Sequence, residues 1–544
     1  MKKYLLAAIA VFAFSPAFSQ SAGFRLGKWT EIQNAVIKEL NRSYVDSLPM
    51  DRIYRAGVDA MLESLDPYTI YVPEEDNEDF EFMIGKTYGG IGAIIYKPDT
   101  ESNVVINEPY AGSPAANAGL RCGDEIVSID GQSVKGLKAD EATSRMKGNP
   151  GTTVVFGVKK AFGGDGWAAG DTVEVNIVRQ RIHLPDVEYA GMLNDTTGYI
   201  LQTGFTDRVS EDVRNAYFKL KAQGMKKLVL DLRGNGGGLL QEAVNIVSLF
   251  VPKGSVVVSS KGNANYPEEV FRTMRDPVDT EIPIVVLVDS GTASSSEIVS
   301  GAFQDLDRAT IMGSRTYGKG LVQSVRPLPY NGQLKVTTAK YYTPSGRCIQ
   351  AIDYSHRNED GSVGHIPDSL TKEFRTAHGR PVRDGGGITP DDTLSFKRYS
   401  RLVYSLVLGG IVDQYALDYG RRHESIAEPE DFHFSDADYE DFIQFAMNKK
   451  FDYRSGAKAL YDQMKRELER DGMADGMRDE IEALGKKLEI EKREFLLLKK
   501  DEIIPFIEEE IVVRYHFQEA GVKVRLRYDT ALQEALTKPL IVVG

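Results

Sequence analysis

The chain has 544 residues, 42% hydrophobic and 27% charged, with a formal net charge of -13. That length exceeds what one core usually holds, so two to four domains are expected. The acidic balance argues against nucleic acid as the main partner, because phosphate binding needs a basic face, and it reads most simply as surface charge that aids solubility.

Met1 to Ser19 has the layout of a secretory signal: basic Lys2 and Lys3, apolar Tyr4 to Phe14, and small residues at Ala17 and Ser19, with cleavage expected before Gln20. The apolar run is too short for a comfortable membrane span. No cysteine follows the cleavage point, so no lipid anchor is expected there, and no later segment is apolar for long enough to cross a bilayer. An exported, periplasmic protein is the expectation. Cys122 and Cys348 fall in segments assigned to different domains, so a bridge is not expected, and no zinc-ligand spacing or H-E-x-x-H motif occurs.

Residues 28–85 read as helical, with apolar stripes at Trp29, Ile32, Val36, Ile37 and Leu40 and at Ile53, Val58, Met61, Leu62 and Leu65, stopped by Asp66-Pro67. Residues 87–181 change to short strands with two small helices, at 113–120 and 139–146, which suits a compact domain of its own. From 183 to 396 strand and helix alternate. Lys227 to Leu232 and Ile284 to Val288 are buried strands, each followed by a turn and a helix, which predicts a mainly parallel sheet with right-handed crossovers. Tyr330-Asn331-Gly332-Gln333 is a hairpin turn. Residues 400–535 read as helical; the Lys- and Glu-rich stretch 456–511 suggests a solvated face, with a dimerisation or capping element as the sharper reading.

Three segments carry candidate chemistry. Thr292-Ala293-Ser294-Ser295-Ser296-Glu297 lies between a buried strand and a helix, where side chains face the crevice at the carboxyl ends of parallel strands. Ser294 can act there as a nucleophile, or it can merely cap the helix, since Ser294-x-x-Glu297 fits a capping box. A serine hydroxyl needs a base. None of the seven histidines sits in a motif-like context, whereas Lys319 lies in Tyr317-Gly318-Lys319-Gly320 at the start of an extended segment. If that segment is a strand, positions 319, 321 and 323 share one face, and Gln323 can position the lysine amine. A base role requires the lysine pKa to fall from about 10.4 to about 7–8, which an apolar closed site supplies. A phosphate-binding lysine is disfavoured because no Walker spacing surrounds it, leaving an ordinary surface lysine as the plain alternative. Asp231-Leu232-Arg233-Gly234-Asn235-Gly236-Gly237-Gly238 offers free backbone N–H groups for an oxyanion, or a plain tight turn; it does not meet G-x-G-x-x-G.

Taken in order over residues 30–395, Leu65-Asp66-Pro67-Tyr68, Gly89–Ala93, Asp231–Gly238 and the Ser294 and Lys319 motifs resemble the C-terminal processing peptidases, or tail-specific proteases. The resemblance implies an α+β multidomain protein. An α/β crotonase/ClpP-like protease core would carry an inserted PDZ domain and helical N- and C-terminal regions. The boundaries are a signal peptide at 1–19, an N-terminal helical region at 20–86, the PDZ domain at 87–182, the protease core at 183–399 and a helical region at 400–544. Nucleophile and base stand 25 positions apart in that family, as Ser294 and Lys319 do here. By the same likeness Gln323 supports the lysine and the backbone N–H groups of Gly237 and Ser295 form the oxyanion hole. Gly89, Gly90, Ile91, Gly92 and Ala93 form the loop that holds a peptide carboxylate, and the PDZ domain serves as a movable gate. Thr292, Ser295, Ser314 and Tyr317 depart from the usual family motifs.

The expected activity is therefore serine endopeptidase cleavage of proteins or peptides selected by their C-terminal tails, with no metal or organic cofactor. The partners expected are substrates with accessible C-termini, with an adaptor protein and a homodimer as further partners and nucleic acid excluded. The rival readings are a non-catalytic exported peptide-binding protein and a cytosolic nucleotide enzyme. The apolar end Leu540–Gly544 reads as a packed terminal strand or as a PDZ-type tail.

Overall fold

The structure is a computed structural model that describes residues 22–541 apart from 98, 165, 453, 454 and 490, so the expected signal segment lies outside the described residues. The described residues up to Tyr71 form one compact unit and those from Val72 onward a second. The first unit contains the helices Ala22–Ser43 and Met50–Glu63. The second of these stops where the sequence predicts, because the Asp66 carboxylate accepts the N–H groups of Tyr68 and Thr69, both at 2.9 Å, and turns the chain. The stripe on the first helix is not a core face: Trp29 is 63% and Val36 52% exposed.

The second unit opens with the helix Asn77–Gly85 and then the PDZ segment. Its sheet runs Ala93–Tyr96, Val104–Pro109, Glu125–Ile129, Thr153–Lys159, Thr172–Val178 in spatial order, all antiparallel. Val154, Phe156 and Val158 point inward while Thr153 and Lys159 point out, the period of two that a half-covered sheet requires. Ser113 Oγ accepts the Ala116 N–H at 3.2 Å and starts the short helix Pro114–Asn117. Ala93–Tyr96 is the edge strand, and the helix Ala139–Met146 lies across a groove from it.

The protease core is a six-stranded sheet in the order Val187–Met192, Thr197–Gln202, Lys227–Asp231, Ile284–Val288, Thr310–Gly313, Asp392–Thr393. The first pair is antiparallel and every later pair parallel, as the strand–helix alternation predicts. All five residues of Ile284–Val288 are buried, because both faces of the sheet are covered. Leu228, Leu230, Ile284, Val286 and Val288 pack with the helices Val209–Ala222, Leu240–Ser248 and Ser295–Asp305. Their alternate neighbours Val229, Val285 and Leu287 pack with Val522, Leu526 and Leu532 of the C-terminal helices. The region after residue 400 therefore covers the second face of the core sheet, a role the sequence did not disclose. Arg233 reinforces it with an ion pair to Asp529 at 2.6 Å.

A second antiparallel sheet joins Leu321–Pro327, Gln333–Tyr342, Val256–Gly262 and Glu269–Arg272. The expected hairpin is present, but its turn runs from Pro329 to Gly332, one position earlier than the sequence suggests, with Tyr330 and Asn331 both at positive φ. In the C-terminal region the charged stretch divides. The helix Gly456–Arg470 buries only Tyr461, the solvated face expected. The helical segment Lys500–Arg527, broken at the non-helical Phe517, instead buries Ile503, Ile507 and Ile511 at helical spacing inside the core of the helical domain. Leu540 packs against the sheet and Ile541 donates its N–H to Thr310 Oγ1 at 3.1 Å; neither lies in a strand, and residues 542–544 of the expected terminal strand lie outside the described residues. Cys122 and Cys348 are both free thiols.

Candidate active site

The loop that carries Ser294 connects the strand Ile284–Val288 to the helix Ser295–Asp305, so Ser294 occupies the helix N-cap. Its backbone is strained, with φ 57 and ψ -118, a region an L residue enters only when its surroundings hold it there. Those surroundings are visible. Ala293 N–H donates to Asn235 O at 2.9 Å, and Thr292 Oγ1 donates to Leu232 O at 2.8 Å. Ser294 N–H donates to Glu297 Oε2 at 2.9 Å, which is one half of the predicted capping box.

Three consecutive serines have different surroundings. Ser295 Oγ donates to Gly238 O at 2.8 Å and Ser296 Oγ to Asn235 O at 2.9 Å. Both residues are buried and both fasten the glycine-rich loop to the helix. Ser294 is the half-buried one of the three. It opens into a cavity of about 530 Å³.

Lys319 and Gln323 line the same cavity, together with Gly237 and Ser295. The five residues expected to act together are thus brought to one place. Glu297 holds the two loops in register. Its carboxylate is wholly buried and accepts Thr316 Oγ1 at 2.5 Å, Gly318 N–H at 2.7 Å and Lys319 N–H at 2.9 Å besides Ser294 N–H. Burial pushes its pKa up, while these four donors oppose the shift. A further bond runs directly between the loops, from Tyr317 N–H to Thr292 O at 3.0 Å. The fully buried Tyr341 hydroxyl donates to the Lys319 carbonyl. The sequence pointed to Glu297 only as a helix cap; its part in fixing the lysine loop depends on contacts 19 to 22 positions away.

Lys319, Leu321 and Gln323 all line the cavity, as the period of two predicts. Lys319 precedes the strand, which begins at Leu321, and the pairing register shifts between Val322 and Gln323. The unmatched residue is Thr338 of the partner strand, so Leu321, Gln323 and Val325 keep their period of two and line the cavity together, with Val322 also reaching it. The Gln323 amide donates to Thr337 Oγ1 at 3.2 Å.

Gly237 lies against Ser294 with φ 92; a Cβ there would stand 2.7 Å from Ala293 O and 2.8 Å from both Ser294 Cβ and Ser295 N. Glycine is required by conformation and by space. Its N–H donates to Asn235 Oδ1 at 2.9 Å, so the donor expected for an oxyanion is already engaged. Ser295 is the first residue of its helix, where N–H groups have no intrahelical acceptor.

Of the expected peptide-carboxylate loop, Gly90, Ile91 and Ala93 line a groove of about 190 Å³ with Ile95 on one side and Thr143, Met146 and Lys147 on the other. Gly89 instead pairs with Arg181 in a two-stranded ribbon, and Gly92 accepts the Tyr110 N–H at 3.0 Å. The helix Asn77–Gly85 touches both places: Phe82 lines the PDZ groove, and Phe80, Met83 and Ile84 line the cavity at Ser294. Nothing in the sequence marked this helix as functional.

The profile of Peptidase family S41 matches residues 196–355, a PDZ domain profile residues 105–160, and the profile "Probable PDZ-protease, C-terminal helical domain" residues 402–538. The carboxy-terminal-processing protease of Bartonella bacilliformis is 35% identical over 322 residues, 58% of this chain and 71% of that protein. The probable CtpA-like serine protease of Staphylococcus aureus strain COL is 35% identical over 323 residues, 59% of this chain; the match spans 62% of that protein's length, less than two thirds. Among solved structures, the photosystem II D1 C-terminal processing protease aligns at 27% identity and a TM-score of 0.35, over 66% of this chain and 86% of that one. On the Bartonella relative and the profile matches, the chain belongs to the carboxy-terminal-processing protease family, peptidase family S41.

Proposed function

We propose that the chain is an exported, periplasmic serine endopeptidase that cuts polypeptides selected by their C-terminal tails. The observation that carries this reading is the convergence of Ser294 and Lys319 on one cavity, with both backbone N–H groups held by the same Glu297 oxygen. Neutral Lys319 takes the proton of Ser294 Oγ as that oxygen attacks the peptide carbonyl carbon. Backbone N–H groups of Ser295 and Gly237 bind the resulting oxyanion. Lys319 then gives the proton to the leaving amine, the C–N bond breaks, and water, deprotonated by Lys319, releases the acyl group from Ser294. Because the first step needs an uncharged amine, the rate rises with pH until Lys319 is deprotonated.

In this reading Gly237 N–H, now on Asn235 Oδ1, belongs to a resting form that substrate must convert. The open edge of Ala93–Tyr96 receives a substrate tail as an added strand. Casein cleavage tests the assignment: Ser294→Ala and Lys319→Ala, each correctly folded by circular dichroism, are expected to lose it by at least about 10³-fold. Substantial turnover by either variant would refute the dyad.

A further inference from the structure

Three lysines line the cavity at Ser294, namely Lys86, Lys319 and Lys335, and no carboxylate is found among its described lining residues. Lys86 is neutralised by the buried Asp186, 2.6 Å away. Lys319 is the base of the reaction just described. Lys335 belongs to neither arrangement. It stands on the strand Gln333–Tyr342 directly across from Val325, and two positions further along Thr337 stands across from Gln323. Residues two apart on a strand share a face, so Lys335 lies about 7 Å along the sheet from the Gln323–Thr337 pair, on the side that faces the cavity. Val325, Val322 and Leu321 give that wall an apolar surface. Burial there pushes the Lys335 pKa down, and no neighbouring carboxylate opposes the shift. A cation partly removed from water, with no counter-charge, is stabilised by an anion that a ligand brings.

We propose that Lys335 determines specificity in the catalytic cleft by holding a carboxylate of the substrate, either an acidic side chain near the cut or the free chain terminus. The inference rests on the reading of this cavity as the peptidase site. It adds a second carboxylate recognition point, inside the cleft and separate from the PDZ groove.

The test is a set of fluorogenic peptides cleaved by the full chain. One glutamate, with glutamine as its control, is walked through the positions on both sides of the cut, and each peptide is made as free acid and as terminal amide. The parent chain is expected to prefer one carboxylate placement over its neutral counterpart by about tenfold in kcat/KM, mainly through KM. Lys335→Gln collapses that ratio to about one, Lys335→Glu inverts it, and Lys335→Arg keeps it. A ratio that collapses for one glutamate position identifies a side chain as the source. One that collapses between acid and amide identifies the terminus. A parent chain that cleaves these peptides without any carboxylate preference, or a Lys335→Gln chain that retains the full ratio, overturns the proposal while leaving the Ser294–Lys319 reading intact. That reading fails separately, if Ser294→Ala still cleaves the neutral peptides.

Discussion

Ser294 and Lys319 donate their backbone N–H groups to the same oxygen of Glu297, each at 2.9 Å. The two nitrogens therefore lie within twice that distance of each other, across 25 positions of sequence. One buried carboxylate sets the spacing between the proposed nucleophile and base. Glutamine has a similar shape, but one of its two polar ends is a donor and would face N–H groups. Glu297→Gln is expected to lower kcat/KM by about 10²-fold or more, because small misplacements of reacting groups have large effects. Steady-state kinetics on a folded variant checks this, and parent-like activity would remove Glu297 from the account.

Gly237→Ala is expected to silence the enzyme without unfolding it. The new Cβ would meet backbone on the nucleophile loop, and the residue must hold φ 92. Loss of one oxyanion donor corresponds to about 10²–10³ in kcat. Binding of an apolar tail peptide to the PDZ groove, measured by fluorescence anisotropy, should stay unchanged. Loss of that binding would mean that the substitution damaged more than the glycine loop.

The helix Asn77–Gly85 gives the gate expected from the family resemblance a physical connection, since Phe82 lines the tail groove and Phe80, Met83 and Ile84 line the catalytic cavity. An apolar tail peptide is therefore expected to change the rate at which a second, tail-less peptide is cut. Phe82→Ala should reduce that response several-fold. Deleting residues 90–180 should alter cleavage of folded substrates with degradable tails. An identical response in the Phe82→Ala chain would break the link between the two clefts.

Glu108, on the strand Val104–Pro109, has its pKa raised to about 7, by burial and then by the nearby Glu510 and Glu188; Arg514 and Gln518 pull it down. The folded chain thus binds a proton between the ordinary glutamate value and about pH 7 that the unfolded chain does not, so this group makes stability fall as pH rises through that window. Glu108→Gln should be more stable than the parent at pH 8, by about 1–3 kcal/mol, and close to it at pH 4. Thermal unfolding of both chains at the two pH values reads this out; equal melting temperatures at pH 8 would contradict it.

Local pattern made much of the fold legible. Residues 228–230 and the strand Ile284–Val288 are unbroken apolar runs because helices cover both faces of their sheet, and a hairpin near Asn331 follows from turn chemistry. What stayed hidden depends on long-range contact. The second hydrogen-bonding partner of Glu297 is a loop that sequence spacing does not connect to it. The helix Asn77–Gly85 carries no motif, and its role comes only from what stands on either side of it. The C-terminal helices likewise showed their own amphipathic pattern, but not the sheet face they cover.

The most direct measurement is covalent labelling of the full chain with a fluorophosphonate, followed by peptide mass spectrometry. The account predicts one adduct, on Ser294, formed at a rate that rises with pH and abolished in Lys319→Ala. An adduct on Ser295 or Ser296 instead, or casein cleavage that continues in a chain lacking the Ser294 hydroxyl, would contradict it.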